Sequence, residues 1–125
     1  MAYTQFSNGA YGNIEELTNQ NTYFRKVIDT THYQQLVLMS IKPGVEIGKE
    51  VHPYNTQFIR IESGHCKAMI EGKYFELHEN DFMIVPPNKL HNVINISNKP
   101  LKLYTIYSPP HHPYDRIDID KPIEL

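Results

Sequence analysis

The chain has 125 residues, with 12 Lys or Arg against 14 Asp or Glu, a formal charge of -2 and 40% hydrophobic residues. That length suits one domain whose core forms without disulfide or metal staples. The near-neutral balance excludes a nucleic-acid binder that works by neutralising phosphates, and no apolar run nears the roughly 20 residues of a membrane-spanning helix.

The N-terminus, Met1-Ala-Tyr-Thr-Gln-Phe-Ser-Asn-Gly, shows no basic region followed by an apolar one, so no secretory signal is read there. Cys66 is the single cysteine and cannot pair within the chain. Both features predict a cytoplasmic protein in a reducing compartment. Cys66 itself reads as a small strand residue, since spacing offers it no acid-base partner.

Residues 7–22 are rich in Asn, Gly and Thr, with turn signals at Asn8-Gly9 and Gly12-Asn13. Residues 1–20 read as an N-terminal arm or loosely packed lead-in, with at most one helical turn at Ile14–Leu17. Strand signals dominate from there. They cover Tyr23–Ile28, Tyr33–Ile41, Phe58–Ile61, Cys66–Ile70, Tyr74–Leu77, Phe82–Val85, His91–Ile96 and Leu101–Tyr107. Glu71-Gly72-Lys73 is a tight hairpin connection. About nine short strands, with turns every eight to twelve residues, indicate an all-β sandwich or barrel. The tail after Ser108-Pro109-Pro110 is Pro-rich and charged, and is expected to pack over the barrel or fray.

Four polar residues can converge within such a fold. Glu50 and His52 are two apart, so on a strand they share a face. Pro53–Thr56 is a natural turn, and Gln57 starts the returning strand. His91 arrives from a later strand. A closed barrel aims alternate residues inward, so Gln57 inward places Ile59 and Ile61 inward and Arg60 and Glu62 outward. His91 inward likewise carries Val93 inward and turns Ile94 and Ile96 out. Two imidazoles, one carboxylate and one amide oxygen suit a single divalent ion.

The spacing of these residues resembles that of small single-domain cupins, the double-stranded β-helix or jelly-roll family. The first family motif is matched by Gly44, five residues, Glu50-x-His52, four residues, Gln57, six residues and Gly64. The second is matched by Asn80, Pro86, Asn88, His91 and Asn95, after a 15-residue gap. The resemblance covers residues 36–107, which it makes the barrel core, with 108–125 as a C-terminal tail and 1–125 as a single domain. It implies a barrel with Glu50, His52, Gln57 and His91 at the four metal-ligand positions. Glu50 stands where the family pattern has its first His, and Gln57 where it has its Glu, so the carboxylate moves and the ligand charge is unchanged. Asn80 and Asn88 replace turn glycines, and Asn tolerates positive φ better than other side chains. The donor set also resembles the zinc site of the much longer cupin-fold phosphomannose isomerases, with Glu and Gln differently placed.

Such a site leaves a divalent cation (Zn, Fe, Mn or Ni) with a net charge near +1, which favours an anionic or enediolate-like small-molecule ligand. Three chemistries stay open. The cation can act as a Lewis acid in an isomerase, epimerase or lyase, or serve an Fe-dependent dioxygenase through His52, His91 and Glu50. The third is a binding or sensing module with no turnover. Tyr104 and Tyr107 have opposite parity, so one of them at most faces inward. His111-His112 read as surface or capping residues, and His32, His65 and His78 as exposed. The resemblance implies a homodimer, and the outward Ile94 and Ile96 with the unassigned arm fit an edge in need of cover. Analytical ultracentrifugation at micromolar concentration should find the dimer; monomer alone would contradict this expectation.

Overall fold

The computed structural model describes residues 3–6 and 8–123. In chain order these form β1 (Tyr3–Phe6), β2 (Gly9–Gly12), α1 (Ile14–Gln20), β3 (Arg25–Thr30), β4 (Gln35–Ile41), β5 (Thr56–Ser63), β6 (Cys66–Ile70), β7 (Lys73–Leu77), β8 (Phe82–Val85), β9 (His91–Asn95), β10 (Leu101–Ser108) and β11 (Ile117–Asp118). Antiparallel pairing gives a larger sheet of order β11-β3-β4-β10-β5-β8 and a smaller one of order β7-β6-β9. The two sheets close over one core, the all-β barrel that the strand pattern predicts and the jelly roll that the resemblance implies.

The core follows from two-residue alternation. Val37, Met39 and Ile41 of β4, Ile59 and Ile61 of β5, and Leu101, Leu103 and Tyr107 of β10 point into it, with Ala68 and Val93 facing them from the smaller sheet. Each is under 4% exposed. Cys66 joins them, fully buried, and burial pushes its thiol up to about 12, so it packs as an apolar residue. Glu62 shares the outward face with Arg60, as expected, but is not solvated there. It lies near a register shift between β5 and β10, is buried, and meets Arg60 at 3.2 Å.

The turn chemistry is as the residues dictate. Glu71 and Gly72 both take positive φ (47° and 81°) in the two-residue link between β6 and β7. Asn80 and Asn88 also have positive φ, 74° and 67°, where the family pattern places glycine.

The N-terminal segment differs from its reading as a loosely packed arm. β1 and β2 form a hairpin, and α1 runs for seven residues, two turns instead of one. Asn13 caps it, accepting from the Glu16 N–H at 3.0 Å, and Glu15 and Glu16 suit the positive end of its dipole. Leu17 then packs with Ile28, Leu38 and Tyr104 on the outer face of the larger sheet, forming a second apolar cluster. Sequence periodicity misses this because the helix is only two turns long and its anchoring face is short: Leu17, with Ile14 beside it and Thr18 buried. The cover thus falls on the larger sheet, while on β9 and beyond Ile94 is half-buried and Ile96 remains 44% exposed. Leu17→Ala should destabilise the fold by about 2–3 kcal/mol, read from the urea midpoint.

Candidate metal centre

Glu50 and His52 do not lie on a regular strand as expected. Residues 45–50 instead run irregularly beside β9, with Ile47 N–H donating to the Val93 carbonyl. The segment makes two isolated antiparallel bridges, Glu46–Ile94 and Glu50–His91, the second with reciprocal backbone hydrogen bonds of 3.0 Å each. Directly opposed residues of such a pair project to the same face, so the carboxylate and the second imidazole start side by side. His52, two residues on, follows Glu50 to that face. Its carbonyl accepts from the Asn88 N–H, which ties the turn after β8 to the same place.

The structure brings Glu50, His52 and His91 together, with one ligand atom from each lying within 4.8 Å of the others. The two imidazole ring centres are 5.0 Å apart. Glu50 Oε2 is 2.9 Å from His52 Nε2, yet that nitrogen, fully buried, has no aligned hydrogen-bond partner among the described residues. The two atoms are close without being lined up as donor and acceptor, an arrangement that a cation between them would resolve.

Gln57 stands on β5 opposite Tyr107 of β10 and Val85 of β8. Its amide Nε2 donates to Thr105 Oγ1 (3.0 Å) and to the Tyr107 hydroxyl (3.2 Å). Oε1 is left buried without a partner among the described residues. A buried amide oxygen without a donor is costly and therefore uncommon. His91 shows the same design. Its Nδ1 lies 2.9 Å from the Lys89 carbonyl, which can only accept, so the proton sits on Nδ1 and the Nε2 lone pair is free.

Charge is arranged to match. Burial alone would raise the Glu50 carboxyl, but His52, Arg25 and His91 outweigh it and hold the group below its ordinary 4.5. Burial lowers His91, keeping it a neutral donor. Tyr107 is pushed upward by burial and by Glu50, so its phenol stays protonated. These donors, a stable carboxylate and orphaned buried atoms fit a divalent ion.

The C-terminal segment holds what sequence reading missed. His111 is exposed on the segment that crosses the barrel mouth, as the surface or capping reading has it, and its ring lies 4.2 Å from that of His52 and 5.3 Å from that of Tyr107. His112 sits beside it, also against Tyr107. Gln35 fixes both. It is 1% exposed, its Oε1 accepts from the His111 and His112 N–H groups (3.1 and 2.9 Å), and its Nε2 donates to the His112 carbonyl at 2.7 Å. Asn55 donates to the Pro109 carbonyl from the other side. The pointer available in the sequence was the Pro109-Pro110 corner, which turns the chain back across the barrel mouth. The tail thereby packs over the barrel, with β11 paired to β3. The other histidines take no part: His32 and His78 are exposed, and His65 is half-buried, stacked on His78 at 5.2 Å.

A cavity of about 280 Å³ opens above the cluster, bordered by Glu50, His52, His111, His112, Arg25 and Arg116. A larger and more apolar cavity, about 420 Å³, lies under the tail near Phe24, Lys102 and Ile119 and contains none of the candidate ligands.

A family model for the cupin domain matches residues 37–107. The chain belongs to the cupin domain family. It is 48% identical over 115 residues to an uncharacterized protein of Acanthamoeba polyphaga mimivirus, an alignment covering 88% of this chain and 71% of that protein. It is 40% identical over 112 residues to YrkC of Bacillus subtilis (strain 168), covering 84% of this chain and 60% of YrkC. The chain thus spans about three-fifths of YrkC. The crystal structure of BH2720 from Bacillus halodurans superposes with a TM-score of 0.88 at 37% identity, covering 89% of each chain. KdgF from Halomonas sp., at 20% identity and a TM-score of 0.66 over 70% of this chain and 78% of that one, shares the fold. No helix among the described residues is long and apolar enough to cross a membrane.

Burial holds His112 neutral down to about 3, against an ordinary 6.5. The unfolded chain therefore takes up this proton first as pH falls. The stability contributed by neutral His112 is complete above 6.5 and is lost progressively from 6.5 toward 3. The urea midpoint of the metal-free protein should fall with acid across that window, and His112→Gln should flatten the fall.

Proposed function

We propose that this cupin holds one divalent cation on Glu50, His52, His91 and Gln57, and acts with it on a small oxygenated compound, in isomerase, epimerase or lyase chemistry. The observation that carries the reading is the convergence of three ligand atoms within 4.8 Å. Gln57, with a buried amide oxygen that has no donor among the described residues, is linked to them through Tyr107, whose ring lies 5.7 Å from that of His52. When bound, the cation would supply Lewis-acid polarisation of a carbonyl or hydroxyl oxygen.

The chain's own residues have separable parts in this. Glu50 brings the one negative charge of the set, so a divalent ion keeps a net charge near +1. Thr105 and Tyr107 engage the Gln57 amide nitrogen, which leaves its oxygen as the atom that would serve a cation. His111 borders the cavity and stays neutral, held down first by burial and then by His52. It is the group placed to accept a proton from a compound bound there. Gln35 and Asn55 keep that segment across the mouth and so limit the entry of water.

The same two imidazoles and one carboxylate also support an Fe-dependent dioxygenase, and a non-catalytic, metal-dependent binding role stands as the third reading. Oxygen uptake by the Fe(II)-loaded protein separates the dioxygenase from the Lewis-acid reading. Ligand binding that needs the metal but yields no product marks the binding role.

Elemental analysis of protein prepared without a histidine tag tests the site. It should find about one metal per chain. His91→Ala should lower affinity by about a hundredfold or more, and Gln57→Ala by about tenfold, with circular dichroism unchanged. Equal metal content in wild type and His91→Ala would overturn the assignment.

A further inference from the structure

Three basic side chains border the cavity above the cluster, Arg25, Arg116 and Lys121, and Glu50 is the one carboxylate among its lining residues. Asp118 stands against the arginines, and a single oxygen serves both: Oδ2 is 2.6 Å from Arg25 Nη1 and 3.0 Å from Arg116 Nε. One carboxylate oxygen therefore answers two guanidinium groups. The Arg25 side chain is only 9% exposed, yet its Nε has no hydrogen-bond partner among the described residues. Desolvating an ionised N–H without giving it an acceptor is costly, so a buried guanidinium normally has its donors satisfied. His112 Nε2, on the same lining, is likewise buried and unpartnered. The Arg25 charge reaches the cluster as well. It adds to burial in depressing His112, and it helps hold Glu50 low against the opposing effect of burial.

Two guanidinium groups on the wall of one cavity, sharing a single carboxylate oxygen, suit an anion with planar oxygen geometry. The volume, about 280 Å³, lies just below the range for drug-sized ligand pockets, roughly 300–1,000 Å³, and so suits a smaller molecule.

We propose that this cavity binds a small carboxylic acid bearing an oxygen next to the carboxylate, an α-keto or α-hydroxy acid, with the carboxylate on Arg25 and Arg116. The adjacent oxygen is turned toward the cation position. The clamp stands on the two arginines; the orientation of the second oxygen rests on the metal reading above.

Isothermal titration of the full, tag-free chain with pyruvate, glycolate and the uncharged pyruvamide, with and without Zn(II), tests both halves. Either acid should bind with a Kd of about 1 mM or tighter, and pyruvamide about tenfold more weakly. Arg25→Gln should weaken the acids by about tenfold and leave pyruvamide unchanged. Arg116→Gln should weaken them several-fold; its side chain is 37% exposed, so this variant guards against loss of folding in the first. Zn(II) should tighten the acids in the wild type. Acids that respond to Arg25→Gln but not to Zn(II) would support the clamp and overturn the orientation toward a metal. Absence of acid binding, equal binding of pyruvamide, tighter competition by inorganic phosphate, or an effect under about twofold in both variants would overturn the clamp.

Discussion

A protein interior seldom leaves polar atoms without partners, because each one costs about 1–3 kcal/mol. Here two such atoms belong to the four residues singled out as ligands: His52 Nε2 and Gln57 Oε1. In Gln57 and His91 the remaining polar atom of the head group is tethered: Nε2 of Gln57 to Thr105 and Tyr107, and Nδ1 of His91 to the Lys89 carbonyl. Tethering one atom leaves the other committed and unable to rotate toward water. The Glu50–His91 backbone bridge supplies the same discipline one level down, since it sets two side chains abreast before any side-chain contact forms. One cation would satisfy the exposed need of the whole set, which is why the reading depends on it.

The closing segment uses the opposite strategy. Gln35, almost wholly buried, has both amide atoms engaged and fixes the backbone of His111 and His112. A fully satisfied buried amide rigidifies what it holds. His111, His112 and the two arginines are thus carried by the tail and by β3, while Glu50 and His52, which border the same cavity, belong to the barrel.

Much of the fold was legible because alternation and turn chemistry are local. Ile59 and Ile61 point inward as the period requires, and Asn80 and Asn88 take the left-handed conformation that their places in the motif demand. The meeting of Glu50, His52 and His91 could be read from spacing, since i and i+2 share a face and the later motif supplies the partner. The rest depends on contacts that no period encodes. Leu17, with Ile14 one turn before it, anchors α1 against Ile28, Leu38 and Tyr104, a face too short to stand out as a period. His111 and Arg25 reach the site from opposite ends of the chain, drawn in by Gln35 and by Asp118. A histidine after two prolines reads as surface, which His111 is, but its nearness to His52 follows only from the residue that holds its backbone.

X-ray absorption spectroscopy at the metal edge of the Zn(II)-loaded protein tests the central claim most directly. The account predicts a first shell of nitrogen and oxygen at about 2.0–2.2 Å, with the outer-shell scattering of two imidazoles and no sulfur. His91→Ala should remove one imidazole from that pattern. A water-only shell, or one containing sulfur from Cys66, would contradict it.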